Sequence, residues 1–399
     1  MASGELTVGQ VRRADISVVV VSYKSSDLLM LTLASVRRAM EGLEAEVFVV
    51  DNASADGTAE RVRAEAPWVT VVEMGFNSGF AKANNAALSV CRGDVILLLN
   101  PDTVVCRDTF ASLVGHFRAA PASGAVGVRM VNGQGRYLGE SKRGYPSLPA
   151  SFFKLSSLWR LAPRSKTLNA YYLGQHGETE VCHAPILSGA FFAFSRSLLD
   201  RVGGLDEGYF MYGEDVDYSW RMELASGGGN VCRGDMPIVH FKGQSTPRRR
   251  VYIESFFRAM HRFAARYELP RHGRLVRWLT NAGIWVAFWV AMTRCVVRRS
   301  VEGRRRFAPP SSVVFVSDNP ADGVAARLEG GGVRVERVAY RDIHSAGAPG
   351  CDAVVFSVDG DIAAAVDFMR RKSGKVLFGF YNPDNGDVLV YFNNRCHKI

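Results

Sequence analysis

The chain has 399 residues, of which 47% are hydrophobic and 22% charged. That length holds two domains with buried cores, and that balance argues against disorder as the dominant state. The formal net charge of +10 suits partners that carry phosphate, whether a phosphorylated substrate, an anionic lipid or nucleic acid.

In chain order, Ile16–Ser22 is an apolar, β-branched run that predicts a strand buried on both faces. Leu28–Met40 has helical spacing. Glu46–Val50 predicts a second strand ended by Asp51-Asn52, followed by a helix over Asp56–Ala66 and a third strand over Val69–Glu73. Gly79–Cys91 reads as a helix and Asp94–Leu99 as a fourth strand. Strands alternating with helices predict an α/β fold with a mainly parallel sheet covered on both faces. Ligands of such sheets bind beyond the carboxyl ends of the strands. That rule selects Ser22-Tyr23, Asp51-Asn52, Asn77 and Asn100-Pro101-Asp102.

Residues from about 125 to 266 are more mixed, and Lys154–Tyr172 is expected to be a loop or lid. Trp278–Val297 is strongly apolar, and arginines crowd its far end at 298, 299 and 304–306. Its core, Gly283–Met292, is too short to span a bilayer. Trp278, Trp285, Trp289 and Met292 fall near one helical face, so the segment is expected to lie at a membrane surface with its arginines on anionic lipid. A helix packed between two domains is the alternative. Pro309-Pro310 reads as a linker. Ser312–Ser317, Val333–Val338, Ala353–Val358 and Lys375–Phe380 predict strands, with a helix over Asp361–Arg371, so a small separate α/β unit closes the chain. It has no glycine-rich phosphate loop, and Asp318-Asn319-Pro320 reads as a turn. The expected division is 15–265, 266–310 and 311–399. Seven scattered cysteines without a CxxC pair argue against a disulfide framework or a structural zinc site and for a reducing compartment. Met1–Asp15 is polar, with no apolar core of signal-peptide length, so a cytoplasmic location is expected.

Four places can carry chemistry. Asp102, just past a buried strand, can reach a Mg²⁺ or Mn²⁺ ion whose other ligands are substrate phosphates; a tight Asn-Pro-Asp turn explains the same residues. Asp51 can accept from a nucleobase or a sugar hydroxyl, whereas Asp56 fits a helix cap. Glu214, Asp215 and Asp217 crowd three carboxylates into four positions, which raises at least one pKa and suits a proton acceptor. Acidic residues in the first turn of a helix explain them too. His240, on an apolar strand, gains meaning only beside Asp102.

These residues carry a resemblance. VVVVSYKS, EVFVVDNASADGT, NSGFAKANN, LLLNPDT, LSGAFFAFSR, GGLDEGYFMYGEDVDYSWR and VHFKGQS occur in order over residues 15–265. Together they resemble glycosyltransferase family 2 with a GT-A fold, a Rossmann-like mixed sheet, and most of all its rhamnosyltransferase-type members of bacterial cell-surface polysaccharide synthesis. The resemblance implies that Asp51 contacts the base or ribose and that Ser22, Tyr23, Asn77, Gly79, Asn84 and Asn100 line the donor site. It implies that Asp102 binds the metal with His240 nearby, and that Asp215, paired with Glu214, is the general base. It places Gly189 and Asp217 on the acceptor or sugar side. The chain departs from the family pattern at Asn100, where an Asp is usual, and at Lys82, where a small residue is usual. The implied reaction moves a sugar from a dTDP- or UDP-linked donor to a hydroxyl of a lipid-linked or polysaccharide acceptor, with inversion, at the inner face of the cell membrane. A non-catalytic nucleotide-sugar binder and a nucleotidyltransferase are the competing readings. No nucleic-acid partner is expected, because no recognition motif accompanies the arginines.

Overall fold

The computed structural model describes residues 13–242, 250–301, 307–319, 323–343, 351–374 and 376–399. Gly243–Ser245, Arg304–Arg306, Pro320 and Lys375 lie outside the described residues, as do the side chains of Arg298 and Arg299.

The first third follows the predicted alternation. Strands β1 (Ile16–Ser22), β2 (Ala45–Asp51), β3 (Thr70–Glu73) and β4 (Val95–Leu99) run parallel in the order β3-β2-β1-β4. Every residue of β1 and β4 is buried, because helices α1 (Ser26–Ala39), α2 (Thr58–Glu65) and α3 (Phe80–Leu88) cover the sheet. Helix α3 turns Ala81, Ala83 and Ala87 inward, and these small side chains let it lie close to the sheet.

The sheet then changes character. After β5 (Thr103–Val104), α4 (Thr109–Ala119) and β6 (Val126–Val131), a small two-stranded sheet pairs β7 (Lys142–Arg143) with β9 (Ile186–Leu187). Between them, α5 (Leu148–Leu155) and two 3-10 turns, Leu158–Leu161 and Ala170–Tyr172, occupy the expected loop or lid; β8 (Val181–His183) follows. Strand β10 (Phe191–Ser195) runs antiparallel to β4, and β11 (Val231–His240) pairs with β6, β8 and β5. The result is a nine-stranded mixed sheet ordered β3-β2-β1-β4-β10-β6-β11-β5, with β8 on β11. Helices α6 (Arg196–Val202) and α7 (Glu214–Ala225) bracket the loop that carries residues 203–213.

Helix α8 (Arg250–Phe263) runs into a π-helical turn, Ala264–Glu268, and a long helix α9 (Arg274–Val301) follows. Glu268 accepts from Tyr145 Oη at 3.0 Å, which ties this turn to the segment after β7. Asp217 is fully buried on α7. It accepts from Arg221 Nε at 2.8 Å, Tyr267 Oη at 2.7 Å and Arg266 Nη1 at 3.3 Å. This carboxylate is the polar tie between α7 and the turn after α8.

The C-terminal unit is a six-stranded sheet of β12 (Ser312–Val316), β13 (Arg334–Val338), β14 (Ala353–Ser357), β15 (Leu377–Tyr381), β16 (Val388–Phe392) and β17 (Arg395–Lys398). The first four are parallel and the last two antiparallel, with helices α10 (Val324–Gly330) and α11 (Ile362–Lys372).

Replacing Asp217 with Ala strips three donors of their acceptor, all in part-buried contacts. We expect a loss of about 1–3 kcal/mol in stability, measured as a lower urea midpoint for Asp217→Ala than for wild type, with β-strand circular dichroism retained.

Candidate active site

The donor side is built where β1 and β2 end. Ser22 and Asp51 are register partners, and the Asn52 N–H donates to Ser22 O at 2.9 Å. Asp51 is 6% exposed; its Oδ2 accepts from Ser54 N at 3.3 Å, and its Oδ1 is buried without a hydrogen-bond partner. Asn52 organises the neighbouring wall. Its amide nitrogen donates to Asn77 Oδ1 and Gly79 O, and its oxygen accepts from Ser78 N at 2.8 Å. Gly79 has φ +82°, and a Cβ there would collide with Phe210 O, the atom that accepts from Phe80 N at 3.0 Å. The loop at 203–213 is thereby clamped over the start of α3. Tyr23 is half-buried, with the Lys24 ammonium 5.3 Å from its ring. Ser22 Oγ is 3.1 Å from Ser25 Oγ in a buried contact, so its side chain shapes the turn.

The second corner lies one strand over. Asn100 is half-buried, and its N–H donates to Ala190 O at 3.0 Å. Asp102 and His240 are brought together by the β5–β11 pair, in which His240 faces Thr103 and the Phe241 N–H donates to Asp102 O at 2.9 Å. His240 Nε2 lies 3.2 Å from Asp102 Oδ1 but is not aligned as a hydrogen bond, and Asp102 Oδ1 and His240 Nδ1 have no hydrogen-bond partner. Both side chains are under a tenth exposed. Two adjacent ligands of one octahedral ion at about 2.1 Å stand about 3 Å apart. The pair therefore fits two neighbouring coordination positions of a divalent cation, with the remainder left to phosphate and water. Among the described residues, no group of three or more His, Cys, Asp or Glu side chains forms a complete cage. Glu140 sits alongside. Burial alone raises its carboxyl, but its ion pair with Lys242 and the nearby His240 hold it below the ordinary carboxylate value.

The third corner is the start of α7. Asp215 Oδ2 accepts from Arg143 Nη2 at 2.6 Å and Gly189 N at 3.4 Å, and Oδ1 accepts from Val216 N at 2.9 Å. Arg143 is 9% exposed, and the same nitrogen also donates to Leu187 O. Behind it, Tyr171 is sandwiched with the Lys154 ammonium 3.6 Å from its ring. Burial raises the Tyr171 hydroxyl, yet Lys154 and Arg143 outweigh it and hold the group below its ordinary value. Glu214 feels Arg143 only as the weakest of the influences on it. Burial first, and the Asp215 charge second, push it up to about 8, and its Oε2 is buried without a hydrogen-bond partner. Of the two adjacent carboxyls, Glu214 is the one that keeps its proton at neutral pH, while Asp215 is the one bonded by the buried guanidinium.

These corners share one piece of backbone. Ala190 O holds Asn100, and the Gly189 N–H holds Asp215, so the metal-fitting pair and the carboxyl pair meet at one edge of the sheet. Two expected residues are placed differently. Asp217 has no exposed surface and both its oxygens are engaged by Arg221, Arg266 and Tyr267, so it supports α7 and does not reach an acceptor. Asn84 is 1% exposed and donates to Phe80 O one turn back at 2.8 Å, which steadies α3 behind the pocket instead of lining it. Asn52, selected with Asp51 by the strand-end rule, organises the wall beside it; Arg143, whose partner lies 72 positions away, lay outside the expected set.

A mixed sheet of this order, with helices on its faces, is the fold of the GT-A glycosyltransferases. The profile of glycosyl transferase family 2 matches residues 17–203. The N-acetylglucosaminyl-diphospho-decaprenol L-rhamnosyltransferase of Mycobacterium tuberculosis is 30% identical over 313 residues, covering 72% of this chain and 98% of that protein. The low-salt glycan biosynthesis hexosyltransferase Agl10 of Haloferax volcanii is 24% identical over 54% of this chain and 63% of its own length. Among solved structures, the mannosyltransferase PcManGT from Pyrobaculum calidifontis, in complex with GDP-Man and Mn²⁺, superposes with a TM-score of 0.43 at 22% identity, over 74% of this chain and 77% of that one. The chain belongs to glycosyl transferase family 2 and is a glycosyltransferase.

The raised Glu214 carboxyl has a consequence for stability. The folded state keeps this proton up to about pH 8, whereas the unfolded chain releases it near the ordinary value of 4.5. Stability from this group is therefore full below pH 4.5 and falls as pH rises towards 8. Glu214→Gln, which cannot ionise, is expected to lack that loss, so its melting temperature relative to wild type rises steadily from pH 5 to pH 8. A constant difference across that range contradicts a buried, protonated Glu214.

Proposed function

We propose that the chain transfers a sugar, rhamnose by analogy with its mycobacterial relative, from a dTDP- or UDP-linked donor to a hydroxyl of a lipid-linked glycan, with Mg²⁺ or Mn²⁺ and with inversion at the anomeric carbon. The observation that carries this reading is the Gly189–Ala190 backbone, which bonds Asn100 on one side and Asp215 on the other and so sets a proton acceptor across from Asp102 and His240.

In the reaction, the acceptor oxygen attacks the anomeric carbon, its proton passes to Asp215, and the bond to the diphosphate breaks with its electron pair. Asp215 has three donors on roughly four acceptor positions, which leaves it room for the incoming hydroxyl. Arg143 holds its Oδ2 in place, and Glu214 stays protonated beside it. Asp51 presents its unpartnered oxygen to the base or ribose, and the Asn52–Gly79 wall orients the nucleotide. Asp102 and His240 would hold a divalent cation, which would supply charge neutralisation for the departing diphosphate.

A lipid-linked acceptor would put the enzyme at a membrane surface, on the cytoplasmic side by this reading. Helix α9 supports it. Leu275, Trp278, Leu279, Trp285, Val286, Trp289 and Val290 are exposed at helical spacing on one face. The span Arg274–Thr293 is long and apolar enough to cross a bilayer, which corrects the expectation that it is too short. Phe288 of α9 nevertheless packs on Phe257 of the polar helix α8, 5.7 Å between ring centres, so crossing requires either breaking that contact or burying α8. An interfacial position keeps it. The helix has Arg274 and Arg277 at one end, Arg294, Arg298 and Arg299 at the other, and no acidic residue between them.

Two experiments test this reading. With dTDP-rhamnose and a GlcNAc-diphospholipid, Asp215→Asn is expected to lose about 10²–10⁴-fold in kcat with donor binding retained. Asp102→Ala is expected to bind donor poorly and to lose its response to Mn²⁺. Near wild-type turnover by Asp215→Asn, or wild-type activity that survives EDTA, counts against the respective assignment. In vesicle co-sedimentation, wild type is expected to pellet with anionic lipid, less so at high salt. The triple variant Trp278→Ala, Trp285→Ala, Trp289→Ala is expected to stay in the supernatant.

A further inference from the structure

The C-terminal unit has the layout of a ligand-binding α/β sheet, but its carboxyl edge is closed. Asn382, the residue after β15, donates from its buried side chain to Met30 O of α1 at 3.1 Å. Asp384 pairs with Arg38 of α1 at 2.9 Å, and Asp387 with Arg61 of α2 at 2.9 Å. Leu28, Leu31 and Ala34 of α1 share one apolar cluster with Val316 and Val358, at the ends of the second sheet's strands. The crevice where such sheets take ligands is filled by the catalytic domain.

The same cluster reaches the back of the cation-fitting pair. Phe241 follows His240, its N–H holds the Asp102 carbonyl, and its ring is fully buried. That ring stands edge-on to Phe380 of β15 at 5.5 Å and lies 6.0 Å from Tyr391 of β16. Gly133, in the turn after β6, lies so close to the Tyr391 ring that a Cβ would clash with it. The ladder that joins Asp102's strand to His240's strand is only two residues long, Val239 with Val104 and His240 with Thr103, at the outer end of the sheet. So short an edge pairing gains little from its own hydrogen bonds and depends on what packs behind it.

We propose that the C-terminal α/β unit is a positioning element for the Asp102–His240 pair, acting through the Phe241–Phe380–Tyr391 contact. This rests on the reading of that pair as the cation site. Residues that orient metal ligands from outside the coordination shell tune affinity by about 10–100-fold, and Phe380 acts on the ligands through backbone it does not itself form.

The test compares two matched substitutions in the full chain. Phe380→Leu loosens the shared cluster, whereas Phe315→Leu removes an equally buried ring from the C-terminal unit's other core, which the catalytic domain does not share. Calorimetric titration with the Mn²⁺–pyrophosphate complex and hydrogen exchange of residues 100–104 and 237–241 are read for both. Phe380→Leu is expected to bind about tenfold more weakly and to exchange faster in those segments, while Phe315→Leu matches wild type in both. Equal binding and equal exchange in the two variants overturn the proposal. If wild type binds the probe no better than Asp102→Ala, the cation reading fails, and faster exchange confined to Phe380→Leu still upholds the brace while unchanged exchange sinks it.

Discussion

The antiparallel pairing of β10 on β4 is the constraint on which the site depends. It ends with Asn100 bonded to Ala190, and the next residue back, Gly189, gives its N–H to Asp215. A slip of one residue in this pairing turns every side chain of β10 to the opposite face and separates the two halves of the chemistry. The pairing resists such a slip because Phe192 and Phe194 pack on Tyr218 of α7, each with ring centres 5.5 Å away. The aromatic core beneath α7 thus fixes the register that holds Asp215, at the head of the same helix, opposite Asp102.

Buried charge decides how the two carboxyls divide their roles. Arg143 is nine-tenths buried, and a guanidinium in that position needs an anionic partner; Asp215 supplies it, and the pair also fixes β7 to α7. Glu214, adjacent in sequence, is buried as well. Arg143 hydrogen-bonds Asp215, while at Glu214 its charge is outweighed by burial and by the Asp215 charge, so Glu214 is the carboxyl pushed upward.

The residues that sequence made legible are those whose role follows from local pattern. Runs such as ISVVVVS and VILLL announce strands covered on both faces, and the rule of strand ends then finds Asp51 and Asp102 directly. His240 needed company that only the β5–β11 pairing provides, although the sequence motif named it. Asp217 was misplaced because three acidic residues at a helix start look alike on paper; only Arg266 and Tyr267, about 50 positions later, distinguish the structural one. Arg143 carries no local signal at all, since an arginine on a two-residue strand is indistinguishable from a solvated one until Asp215 arrives from across the fold. Helix α9 was underestimated because its polar residues, Arg277, Thr280 and Asn281, interrupt the apolar run without breaking the helix.

The C-terminal unit shows how a fold's capacity for ligands can be turned to another use. The match to the mycobacterial relative covers 98% of its length and 72% of this chain, so more than a quarter of this chain lies outside the match. What the unit contributes is burial: with Phe241, Val104 and Val239 covered by Phe380 and Tyr391, the outermost strand of the catalytic sheet ceases to be an exposed edge. The closed crevice and the covered edge are two sides of one docking event. Both follow from placing the carboxyl end of one sheet against the first helix of the other, where Asn382 meets Met30.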